Sequence, residues 1–128
     1  MTEEQKTKPI SCFDIVYISG QMSGIPDFNV SAFNEAEHFL TNTFGCTVIN
    51  PARHPQCENL SRDYYMQHAM IDVQHCDVIV LIDGEYHRRG KLVQHAWRKS
   101  IGAAQEWEWA QEFGKRIIEM KELEANHE

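Results

Sequence analysis

The stretch Cys76-Asp77-Val78-Ile79-Val80-Leu81-Ile82 is apolar from Val78 onward and rich in β-branched side chains. A strand with one wet face alternates apolar and polar residues. An unbroken apolar run of this length is the pattern of a strand covered on both faces, as in a parallel sheet. Asp83-Gly84 ends it. Working outward, Phe13-Asp-Ile-Val-Tyr-Ile-Ser19 reads as a second strand, closed by Gly20 and Gly24. A helix follows, capped by Asn29 or Ser31, with Phe33, Ala36, Phe39 and Leu40 on one face and Gly45 as its stop. Thr47-Val-Ile49 is a short strand halted at Asn50-Pro51.

Residues 52–61, with Pro55, read as a loop. A second helix runs from Ser61 or Arg62 to Gln74, with Tyr65, Met66, Ala69, Met70 and Val73 at helical spacing. Beyond the central strand, a third helix is expected from Gly102 to Glu112, stopped by Gly114. Arg116-Ile-Ile-Glu-Met120 is the last strand. Strands that alternate with helices require parallel pairing through right-handed crossovers. The expected fold is therefore a three-layer α/β domain of flavodoxin or Rossmann type, with a parallel sheet of four to five strands. Residues 1–10 read as a disordered tail, 11–120 as one domain and 121–128 as a polar tail.

The composition fits that size. A chain of 128 residues with 42% hydrophobic content builds one core. Its net charge of −7 argues against a protein that coats nucleic acid. No apolar run is long enough for a membrane span, and the start is too polar for a signal peptide. Cys12, Cys46, Cys57 and Cys76 show no zinc-like spacing, so a reduced, cytoplasmic protein is the simplest reading. The charge is uneven. Between Glu85 and Ser100, Arg88, Arg89, Lys91, Arg98 and Lys99 face Glu85 alone, a local +4 that leaves −11 elsewhere. Such an island marks a site for a small anion, a contact surface or a solvated loop.

Ligands of parallel α/β sheets bind beyond the carboxyl ends of the strands. Residues 19–27, 83–100 and the helix start at Gly102 would meet there. Tyr17-Ile-Ser-Gly-Gln-Met-Ser-Gly24 offers glycines for close backbone approach and hydroxyl donors, and it also reads as a structural turn. Glu106, four residues after Gly102, is expected to stay ionised near a helix N-terminus. A positioned carboxylate suits attack at an anomeric carbon. An ordinary acidic residue near a helix start is the alternative. His68, Asp72 and His75 share a helix at metal-like spacing, but no zinc motif accompanies them, so no metal or other cofactor is expected. His87 and His95 have no supporting spacing. Trp97, Trp107 and Trp109 read as core or interface groups, and Cys76 as a buried apolar residue.

Taken together, Tyr17–Gly24 followed by Asp27-Phe-Asn29, the Cys76-Asp77 strand, and Ser100-x-Gly102-Ala103-x-x-Glu106-x-x-x-Ala110 with Phe113-Gly114 resemble the nucleoside 2-deoxyribosyltransferase-like superfamily. The resemblance spans about residues 13–120 and is nearest to a phage-associated branch related to nucleotide N-hydrolases. It implies a homo-oligomer built from dimers and a small-molecule nucleoside or nucleotide ligand, with no nucleic-acid polymer and no membrane. It implies cleavage or base exchange at the N-glycosidic bond of a 2′-deoxynucleoside or its 5′-monophosphate. Glu106 would attack C1′ and Tyr17 would orient it. Ser19, Gly20, Met22, Ser23, Gly24, Asp27, Ser100 and Gly102 would line the substrate site. A Ser where nucleoside transferases carry an Asp, together with Arg88, Arg89, Lys91, Arg98 and Lys99, points to a phosphorylated ligand.

Two positions depart from the pattern. Ala69 stands where the superfamily has an acid for the leaving base. Asp72 lies three residues on, and helical geometry points it away from the Ala69 direction. Residues 85–96 form an apparent insertion, read as a lid, an oligomer contact or a remodelled site. Both departures weaken the enzyme reading, and Ala69 favours the alternative of a catalytically impaired protein that binds or sequesters a nucleotide. An oligomeric scaffold with a vestigial site is a third reading.

Overall fold

The computed structural model of the chain describes residues 9–22, 25–53 and 62–125. Four strands, β1 (Ile15–Ser19), β2 (Thr47–Ile49), β3 (Val78–Leu81) and β6 (Arg116–Glu119), form one parallel sheet in the order β2-β1-β3-β6. Helix α1 (Val30–Phe44) connects β1 to β2, and α2 (Arg62–His75) precedes β3. Helix α3 (Ile101–Glu112) precedes β6, and α4 (Met120–Ala125) follows it. Strands β4 (Gly84–Arg88) and β5 (Lys91–His95) make a separate antiparallel pair.

The strand period explains the three layers. Val16 and Ile18 of β1 join Val78 and Val80 of β3 in a core with Phe33, Ala36 and Leu40 of α1. Tyr17, Ile79 and Leu81 point the other way, into a core with Val73 of α2 and Ala103 and Ala110 of α3. All four residues of β3 are buried, as its unbroken apolar run requires. The expected three-layer α/β fold is present, with four parallel strands.

Several local expectations change. Asn29 sits at the N-cap of α1 with φ 64° and makes no side-chain cap. Its amide instead donates to the Gln21 carbonyl at 2.9 Å, tying the loop after β1 to the start of α1. The final strand stops at Glu119, and the supposed tail opens with α4, whose Met120 and Leu123 are buried. Residues 85–96 are mostly hairpin. Arg89 and Gly90, with φ 53° and 77°, occupy its two-residue turn. Of the 52–61 loop, Pro51–Arg53 forms a 3-10 turn, and Pro55 and Cys57 lie outside the described residues.

Gly20 has a steric reason to be glycine. A Cβ there would sit 2.5 Å from Ile82 Cγ1 and 3.1 Å from the Ile82 carbonyl oxygen. Meanwhile Ile82 N–H donates to the Ser19 carbonyl at 2.9 Å. The ends of β1 and β3 are thus drawn together where the site begins. Gly20→Ala is expected to destabilise the protein by roughly 1–3 kcal/mol, read as a lower urea midpoint with an unchanged slope. An unchanged midpoint would show that the strand ends part freely.

Candidate active site

Tyr17 and Ser19 alternate with Ile18, so both face the α2–α3 layer from the carboxyl half of β1. Glu106 lies on the buried side of α3 with Ala103 and Ala110, at helical spacing. The Tyr17 hydroxyl donates to Glu106 Oε2. The Ser19 hydroxyl donates to Glu106 Oε1 at 2.6 Å. Each carboxyl oxygen therefore has a fixed hydroxyl donor, and the carboxyl plane is locked from both sides. Glu106 is 7% exposed, Tyr17 1% and Ser19 not at all.

Burial governs the electrostatics. It pushes Glu106 up from 4.5 to about 7; the Ser19 and Tyr17 hydrogen bonds oppose the rise, and the charge of Asp72 adds to it. The expectation of a fully ionised carboxylate at a helix N-terminus is corrected. Glu106 lies in the second turn of α3 and inside the core, where desolvation outweighs the helix dipole. Tyr17 is pushed well above its usual value by burial first and the Glu106 charge second, so it remains a donor.

The charge of Asp72 opposes ionisation of both Glu106 and Tyr17. Asp72 lies on α2 three residues beyond Ala69, and its charge is the last and smallest of the effects on Glu106. Ala69 is itself buried at 9% exposure. Spacing within one helix could not show which arc of α2 meets β1.

The other sequence-derived residues are placed as follows. Ser100 caps α3, its hydroxyl oxygen accepting from Ala103 N–H at 3.2 Å. Gly102 leaves room beside it, since a Cβ there would meet only Met66 Sδ at 3.7 Å and Ser100 Oγ at 4.0 Å. Met22 packs against the core on the α1 side of the sheet, away from Glu106. Asp27 lies in the 3-10 turn Pro26–Asn29, and Ser23 and Gly24 lie outside the described residues. The basic island is divided. Arg98 and Lys99 adjoin Ser100 and line a surface hollow of about 330 Å³ that also takes in Glu108. Arg88, Arg89 and Lys91 are at the hairpin turn, a strand length of roughly 17 Å from its root. The side chains of Arg88, His87 and His95 lie outside the described residues.

A larger hollow of about 510 Å³ lies on the outer face of α1 and touches none of these groups. His68 meets the Tyr64 ring edge-on at 4.7 Å between centres, and His75 Nδ1 donates to the Ile71 carbonyl at 2.7 Å. Among the described residues no three His, Cys, Asp or Glu side chains are grouped to hold a metal. Cys12, Cys46 and Cys76 are free thiols, and burial pushes Cys76 up to about 11. Among the described residues no helix is long and apolar enough to cross a membrane.

A family model described as a domain of unknown function, DUF4406, matches residues 14–119. No curated protein matches the chain. Among solved structures, that of the Clostridium botulinum CMP N-glycosidase BcmB is similar at 19% identity and a TM-score of 0.49, covering 82% of this chain. The chain spans 66% of the length of that glycosidase chain.

Proposed function

The chain belongs to the DUF4406 family, a domain of unknown function, and we propose that it cleaves the N-glycosidic bond of a small nucleoside or nucleotide. The substrate we assign is a 2′-deoxynucleoside 5′-monophosphate or the deoxynucleoside. One observation carries the reading: a buried carboxyl group at the carboxyl edge of a parallel sheet has both oxygens gripped by hydroxyls from one strand. That arrangement fixes a nucleophile's direction and leaves its charge poorly balanced. A sugar carbon that becomes positive as its bond to the base breaks would supply the missing charge.

In this mechanism ionised Glu106 forms a bond to C1′ as the C1′–N bond breaks. The bonding pair leaves with the base, which takes a proton from an acid. We assign delivery of that proton to water, because Ala69 can supply none. Water or a second base then attacks C1′ and frees Glu106. Tyr17 and Ser19 keep their protons and hold the carboxylate throughout. The dimer-based assembly belongs to the same proposal and is read by sedimentation.

The test is incubation with each deoxynucleoside and its 5′-monophosphate, with released base measured by chromatography. Base release that is lost in Glu106→Ala supports the reading. Tight binding without release overturns it in favour of a nucleotide-sequestering protein.

Ser100 and its neighbours Arg98 and Lys99 support a phosphorylated ligand, since a hydroxyl can donate to phosphate where a carboxylate repels it. Ser100→Asp retains a side chain able to cap α3. It is expected to reverse the preference, lowering kcat/KM for the monophosphate by about tenfold or more relative to the free nucleoside. An unchanged ratio would place the phosphate elsewhere.

A further inference from the structure

Trp97 stands at the junction between the hairpin and α3, and each of its N–H groups is claimed by a carboxylate from a different strand end. Its backbone N–H donates to Asp83 Oδ1 at 2.8 Å, just beyond β3. Its indole N–H donates to Glu119 Oε1 at 3.0 Å, the last residue of β6. Lys121 lies 3.9 Å from Asp83 Oδ2 and 3.7 Å from Glu119 Oε1, joining the two acceptors. The ring is 5% exposed and belongs to the core that holds Tyr17. The Arg98 guanidinium carbon sits 5.0 Å from the ring centre.

Trp97 also meets α3 twice. Its carbonyl accepts from Ser100 N–H at 3.0 Å, at the cap. Its ring lies 5.9 Å, centre to centre, from Trp107, the residue after Glu106. Six residues separate the cap Ser100 from Trp107, and Glu106 is the last of them. A helix with a carboxyl group turned into the core gains by rolling that group toward water, because burying it costs free energy. The roll would carry Trp107 through the space that Trp97 fills.

We infer that Trp97 is a positioning residue: clamped between Asp83 and Glu119, it pins the turn of α3 that holds Glu106 against Tyr17 and Ser19. The inference rests on the proposed chemistry for its effect on rate, but not for its effect on Glu106 itself. Arg116 at the far end of β6 pairs with Asp14, so the strand that carries Glu119 is held at its amino end as well.

The experiment follows the carboxyl carbon of Glu106 by NMR through a pH titration, assigned by its absence in Glu106→Gln. Tyr17 and Ser19 bond to it, and the charge of Asp72 acts on it more weakly. Trp97→Phe keeps a ring against Trp107 and removes the indole N–H. Glu119→Leu removes the acceptor and leaves the core intact. Each is expected to move the Glu106 midpoint about one unit toward the ordinary carboxylate value, as water reaches the group. Glu119→Gln keeps an acceptor and is expected to restore the wild-type midpoint. In the enzyme assay, Trp97→Phe should lower kcat by about tenfold with KM little changed, since misplacement of a reacting group falls on the chemical step.

A residue with a merely structural role would lower the melting temperature and leave the Glu106 titration in place. An unmoved midpoint in folded Trp97→Phe and Glu119→Leu overturns the inference. A moved midpoint in a protein that releases no base from any substrate supports the clamp and defeats the proposed chemistry instead.

Discussion

Glu106→Gln is expected to abolish base release, lowering kcat on the order of 10⁴-fold or more, as removal of a covalent nucleophile does elsewhere. The amide is nearly the same size and can still bond both hydroxyls, accepting from one and donating to the other. The packing around the side chain is therefore kept and binding should survive. The loss must then fall on kcat, with KM close to that of the wild type. The pH profile supports the same assignment. Burial pushes Glu106 up to about 7, and only the ionised form attacks, so the rate should rise with pH through about 7 and then level. Tyr17, held well above its usual value, stays a donor across that range. A rate that falls as pH rises through this window would make Glu106 a proton donor instead.

The second large effect is on stability. Glu106 has its folded-state value raised from 4.5 to about 7. A group raised in this way binds its proton more tightly when the protein is folded. Its contribution is fully present below about 4.5 and is lost as pH rises through about 7. The wild type should therefore lose on the order of 3 kcal/mol relative to Glu106→Gln between those limits. Glu37 and Glu119 act in the opposite sense. The Arg53 fork holds Glu37 below the usual carboxylate range, and the Trp97 indole does the same for Glu119. Their contributions are lost at acid pH, but both chains carry them, so the difference between the chains isolates Glu106. Urea midpoints at a series of pH values provide the comparison. Parallel curves for the two proteins would mean that the buried carboxyl group is solvated.

The fold was legible because its strongest signal, the apolar run of β3, reports burial on two faces directly. The alternation of strands and helices then leaves little topological choice. Tyr17, Ser19 and Glu106 were named from sequence, and the structure brings those three together. Their electrostatics were not legible. Position near a helix start indicated an ionised carboxylate, whereas burial, a tertiary property, raises Glu106 to about 7. An angle measured within one helix says nothing about which arc meets the sheet.

The hairpin was missed although Arg89-Gly90 carries a turn signal, glycine at the second position of a two-residue loop with both φ values positive. The flanking strands lack the clean apolar–polar alternation that marks a half-buried pair. Helix α4 carries no amphipathic signal in sequence, since Met120 and Leu123 are its only buried residues and the rest of the segment is polar. The Trp97 clamp joins Asp83, Glu119 and Trp107, groups brought together by three different elements, and no local pattern announces it.

The most direct test of the central claim is to trap the sugar on the protein. A 2′-fluorinated deoxynucleoside monophosphate slows breakdown of a glycosyl-enzyme, because the fluorine disfavours positive charge at C1′. After mixing and acid quench, peptide mass spectrometry should show one sugar phosphate on Glu106, with base released in equal amount. Base released with Glu106 unmodified, or an adduct that persists in Glu106→Gln, would contradict the account.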